Sequence, residues 1–135
     1  MTQNAIEVKR PKVLTTETPI VCLCGSTKFK YEYRIVNRFM TIRGIAVLSV
    51  GGFHHSENYE LTNQEKENVD ELHKRKIDIA DFIFVIDVDS YVGDSTKSEI
   101  EYGKANNVPI FYLSDEPQIF KPEIIKGIED NRFEL

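Results

Sequence analysis

The run Pro19-Ile20-Val21-Cys22-Leu23-Cys24-Gly25 is apolar at every position between its proline and its glycine. A strand with one wet face alternates apolar and polar residues; a strand covered on both faces reads as an unbroken apolar run. The segment is therefore read as a central strand of a parallel sheet. Three more runs share its character: "IAVLSV" (Ile45 to Val50), "DFIFVID" (Asp81 to Asp87) and "VPIFYL" (Val108 to Leu113).

Helical patterns fill the gaps. Ser26 offers an N-cap, Phe29, Tyr33, Val36 and Met40 recur at helical spacing, and Gly44 supplies a stop. Thr62 and Glu65 match a capping box. They open a second helix to about Ile79, with Val69, Leu72 and Ile79 expected inward and His73 towards solvent. A third helix starts in Asp94 to Ser98 and runs to about Asn107. Pro122, Ile124, Ile125 and Ile128 mark a short last one. Strands alternating with helical crossovers give an α/β fold. The expectation is a flavodoxin-like (Rossmann-like) doubly wound parallel sheet of four to five strands, order 2-1-3-4(-5). Residues 1–18 read as a flexible N-terminal arm and 19–135 as a single domain.

A chain of 135 residues suits one domain with a sizeable core. Its net charge of −5 gives no drive towards polymeric nucleic acid or an anionic membrane. No apolar run reaches the roughly 18 residues of a membrane span, and the N-terminus lacks a signal-peptide core. A cytoplasmic setting is expected. Cys22 and Cys24, two apart on a strand, point to one face and cannot bond well to each other. They are read as buried, reduced thiols, too few for zinc without help.

In doubly wound sheets ligands bind outside the carboxyl ends of the strands, where the winding reverses. Here that point brings together the loops after strands one and three, "CGST" and "DVDSYVGDSTKSE". Cys24, Gly25, Ser26 and Thr27 on the first, and Gly93, Ser95, Thr96 and Ser98 on the second, are the candidate binding residues. Both loops lead into helix starts, whose N–H groups and dipole suit an anion. Plain capping explains the same residues: Ser26 as an N-cap, Thr96 with Glu99 as a capping box. Glu101 is the candidate carboxylate, though most helical glutamates are simply solvated. Asp87 and Asp89, ending strand three, suit sugar hydroxyls or acid/base work; turn chemistry also favours aspartate there. The long loop "GGFHHSENYEL" is read as a ligand cover, with Gly52 and Phe53 at the ligand and Phe53 or Tyr59 stacking on a ring. His54 and His55 lack metal-ligand spacing. No metal ion and no cofactor is expected, although the fold itself leaves a flavin open.

"CGS" closing strand one, "ADFIFVID", and "STKSEIEYGKANNVPIFYL" with its Glu-x-Gly-x-Ala signature resemble the nucleoside 2-deoxyribosyltransferase-like superfamily. That superfamily includes the transferases and the 2′-deoxynucleoside 5′-phosphate N-hydrolases. Ser90 to Thr96 looks like a small branch of it. The likeness spans roughly residues 19–115. It implies a nucleoside or nucleotide substrate, Glu101 as the nucleophile on C1′ of the sugar, and Ser95 as a hydroxyl contacting a 5′-phosphate. Gly25 and Ser26 would line the same pocket, and a homodimer or larger homo-oligomer is implied. His73 stands where better-known members carry an assisting aspartate. Lys97-Ser98-Glu99-Ile100 replaces their glycine-rich run. A nucleotide-binding sensor with the same pocket and no chemistry is the other function this pattern fits.

Overall fold

The computed structural model describes residues 18–53 and 58–116. Among them are four strands, β1 (Ile20–Gly25), β2 (Ala46–Leu48), β3 (Phe82–Ile86) and β4 (Ile110–Tyr112). Three helices connect them, α1 (Lys30–Thr41), α2 (Asn63–Ile79) and α3 (Asp94–Ala105). All strand pairs are parallel and the order is β2-β1-β3-β4. This is the doubly wound, flavodoxin-like sheet with order 2-1-3-4. The arm before residue 18, His54 and His55, and the helix expected after Pro122 lie outside the described residues.

The unbroken apolar runs are buried in the two central strands, whereas β2 and β4, at the edges, are partly exposed, since each has a neighbouring strand on one side alone. Val21 to Cys24 and all of β3 are at most 2% exposed, because each strand has a covered layer on both sides. Alternate residues serve opposite layers. Val21, Leu23, Phe82, Phe84 and Ile86 pack against Tyr33, Val36, Phe39 and Met40 of α1. Cys22, Cys24, Ile83 and Val85 pack against Ile77 of α2 and Ile100 of α3. Each fully buried aliphatic or aromatic side chain contributes roughly 1.5–3 kcal/mol, so the α1 layer carries the larger share.

The lean second layer turns α2. Val69, Leu72 and Ile79, expected inward, are 41%, 57% and 63% exposed. The buried residues of α2 are His73 and Ile77, a stripe rotated by about 100° from the apolar one. His73, expected in solvent, is 4% exposed. It meets the two polarisable thiols of β1, which accept a polar ring edge where an all-carbon face would not.

Helix starts differ from the sequence pattern in two of three cases. The Thr62–Glu65 capping box forms: Glu65 N donates to Thr62 Oγ1 at 3.1 Å and Thr62 N donates to Glu65 Oε1 at 2.9 Å. Helix α1 begins after Phe29, with no side-chain cap. Ser26 instead shapes the preceding turn, its carbonyl accepting from Phe29 N and its Oγ from Lys28 N. Helix α3 is capped by the backbone of Gly93 with no side-chain bond, which releases Thr96 and Glu99 from capping. Gly44, at φ +84°, supplies the left-handed turn after α1. Among the described residues no helix is long and apolar enough to cross a membrane.

Candidate active site

A crevice of about 1030 Å³ lies at the carboxyl ends of β1 and β3. Gly25, Ser26 and Thr27 form one wall; Gly93, Ser95 and Thr96 form another. The two loops singled out by topology therefore meet. Gly25 permits the approach: its φ is +154° and a Cβ there would sit 2.8 Å from the Ile86 carbonyl oxygen. The Tyr33 hydroxyl donates to the Gly25 carbonyl at 2.9 Å and holds the end of β1 against α1.

The loop after β2 supplies the rest of the rim. Gly52, Phe53 and Tyr59 line the crevice, as does Tyr91 after β3. Phe53 packs edge-on against Tyr33 with centroids 5.4 Å apart. Tyr91 packs edge-on against Phe29 and carries the Lys28 ammonium 3.7 Å from its ring centre. Helix α2 adds Lys66, whose Nζ donates to Ser95 Oγ at 3.2 Å and lies 3.5 Å from Asp70. It also adds Lys76, which donates to the Ser49 carbonyl at 2.7 Å.

Of the carboxylates lining this space, Glu60, Asp70, Asp94 and Glu99, the most buried is Glu99, 9% exposed. Glu101 is exposed and does not line the crevice. Two residues on a helix are about 200° apart, so one of the pair must turn away. Thr96, Ile100 and Gly103 are the other buried positions of α3. Their stripe includes residue 99 and excludes 101, and that periodicity was the signal available in the sequence. Gly103 serves this packing, since a Cβ there would meet Ile83 Cδ1 at 2.5 Å. It brings the helix down on the sheet rather than opening room for a ligand.

Other expected site residues lie elsewhere. Ser98 is exposed and faces away from the crevice, as α3 rotates it out with Glu101. Cys24 is fully buried behind the wall. Asp87 is buried outside the crevice and accepts from Ser114 N at 2.9 Å and Ser114 Oγ at 2.7 Å. It ties the end of β3 to the turn after β4. Asp89 is exposed at φ +52° in the following turn, also outside the crevice.

Beneath the crevice floor Glu99 joins a polar cluster that the sequence pattern did not predict. His73 Nε2 lies 3.9 Å from Glu99 Oε1 and 3.5 Å from both Cys22 Sγ and Cys24 Sγ. The Leu23 carbonyl is 3.0 Å from the same nitrogen. Burial pushes the Glu99 carboxyl above the usual range, against the opposing pull of His73. A hydrogen bond from Cys24 holds the Cys22 thiol down at about 6, while the same bond and burial push Cys24 up. Burial works to lower His73, but the bond and charge of Cys22 prevail and raise it. No protein-family model matches the chain, and no curated protein matches it.

Proposed function

We propose that the protein cleaves or exchanges the N-glycosidic bond of a (deoxy)nucleoside or nucleoside 5′-monophosphate, with Glu99 as its nucleophile in place of Glu101. The observation that carries this reading is the seat of Glu99: a nearly buried carboxylate at the switch-point crevice, flanked by both polar loops. The aromatic rim of Phe53, Tyr59 and Tyr91 suits a planar base. The α3 start with Ser95, Thr96 and Lys66 suits a sugar hydroxyl or phosphate. The resemblance in the Ser95-to-Leu113 segment supplies the reaction class.

In this reaction a Glu99 oxygen bonds to C1′ as the C1′–N bond breaks. The bonding pair leaves with the base, which takes up a proton. Water, or a second base, then attacks C1′ and returns Glu99 as a carboxylate, giving net retention. Burial works against the ionised form of Glu99, and the neighbouring His73 works for it, so His73 supports the carboxylate that attacks C1′.

The test is base release from a panel of nucleosides and deoxynucleotides, read by chromatography. Wild-type protein and Glu101→Gln release base at rates within about threefold of each other, while Glu99→Gln loses about 10²-fold or more. Equal loss in both variants, or no release by the wild type, defeats the reading. Ligand binding by calorimetry without turnover selects the sensor instead.

A further inference from the structure

We propose that Cys22, Cys24 and His73 form a three-donor binding site for a borderline-soft divalent cation such as Zn²⁺, its fourth position left to water from the crevice. Their three ligand atoms lie within 4.8 Å of one another, and all three residues are buried. Nothing in the crevice chemistry requires the two thiols.

The two sulfur-to-nitrogen distances fit a tetrahedral ion. With Zn–S of about 2.3 Å and Zn–N of about 2.0–2.1 Å, tetrahedral geometry sets each sulfur about 3.5 Å from the nitrogen. Both sulfurs stand 3.5 Å from His73 Nε2. Glu99 Oε1 lies 3.9 Å from that nitrogen but outside the compact group of three, so it stands beside the site rather than in it. Thiolate and imidazole together select zinc-like ions over magnesium or calcium.

Nε2 donates to the Leu23 carbonyl 3.0 Å away, so His73 ligates a cation only after that proton has moved to Nδ1 or to solvent. Entry is open from the crevice, where His73 and Glu99 form part of the lining. Binding releases the proton of each thiol that carries one and moves the Nε2 proton of His73 to Nδ1 or to solvent, with no change of oxidation state.

The site rests on the thiols rather than on Glu99 and is read by metal binding, not by turnover, so it can fail while the glycosidase reading stands.

The experiment uses the reduced, chelator-stripped full chain titrated with Co²⁺ alone and then Zn²⁺. One equivalent of Co²⁺ is expected to give thiolate-to-cobalt charge-transfer absorption and tetrahedral visible bands, which Zn²⁺ abolishes. Zn²⁺ is also expected to slow alkylation of both thiols in the wild type at least about tenfold, a readout that needs no variant. Cys22→Ser and Cys24→Ser each weaken binding at least about tenfold, and Glu99→Gln keeps the charge-transfer absorption. The proposal is overturned if Co²⁺ gives no charge-transfer absorption and Zn²⁺ leaves alkylation unchanged. It is equally overturned if the double cysteine variant binds Co²⁺ as tightly as the wild type.

Discussion

His73 Nε2 and Glu99 Oε1 lie 3.9 Å apart, and this one contact joins α2 to α3 at the floor of the crevice. Both side chains are nearly buried. Each is drawn inward by the other and by the thiols of β1. An exposed cross-link reinforces the same helix pair: the Tyr102 hydroxyl donates to Asp78 Oδ1 and accepts from Arg75. The two helices therefore present Lys66, His73, Ser95 and Glu99 to a single space.

Lys66 is an ammonium at the mouth of that space, bonded to Ser95 and 59% exposed at its side chain. If the crevice takes 5′-monophosphates, Lys66→Ala raises their KM by about fivefold, equivalent to about 1 kcal/mol for an exposed ion pair. Free nucleosides show no change. Steady-state kinetics on a matched nucleoside and nucleotide check this, and equal effects on both would remove Lys66 from phosphate binding.

Asp87 has a structural task. Its carboxylate takes two hydrogen bonds from Ser114 while 6% exposed. Asp87→Ala lowers unfolding stability by about 2 kcal/mol. Asp89→Asn, in the exposed turn, changes it by less than about 0.5 kcal/mol. Urea denaturation separates the two.

Gly103 lets α3 touch the sheet. A methyl there meets Ile83 Cδ1, and Ile83 is fully buried. Gly103→Ala costs about 1–3 kcal/mol by overpacking. Adding Ile83→Val removes that Cδ1, so the double variant is more stable than the sum of the two single changes predicts. Additive losses in thermal or denaturant unfolding would place the strain elsewhere.

The orientation of α2 is tested at two leucine-sized positions. Ile77 is fully buried and Leu72 is 57% exposed. Ile77→Ala costs about 2–5 kcal/mol, and Leu72→Ala changes stability of the isolated chain by less than about 0.5 kcal/mol. Similar losses at both positions contradict the helix rotation described above.

The unbroken apolar runs at Ile20 to Cys24 and Phe82 to Ile86 determined the parallel sheet, because only strands covered on both faces carry such runs. With the alternation of helices they also determined the strand order, and hence that "CGST" and "GDST" meet at a crevice. The sequence pattern also contained the Thr62–Glu65 cap, whose bonds are local. The rotation of α2 and α3 was a different matter. Apolar spacing pointed Val69 and Leu72 inward, but the sheet face beneath offered two thiols, and His73 took that place. Likewise Glu101 carried the recognisable Glu-x-Gly-x-Ala spacing, while Glu99 shares its helical stripe with Ile100 and Gly103. Which carboxylate enters the crevice was decided by Gly103 packing on Ile83, a contact 20 residues apart in sequence that fixes the helix to within one face. The Cys22–Cys24–His73–Glu99 cluster depends on three elements meeting, and no local spacing encodes it.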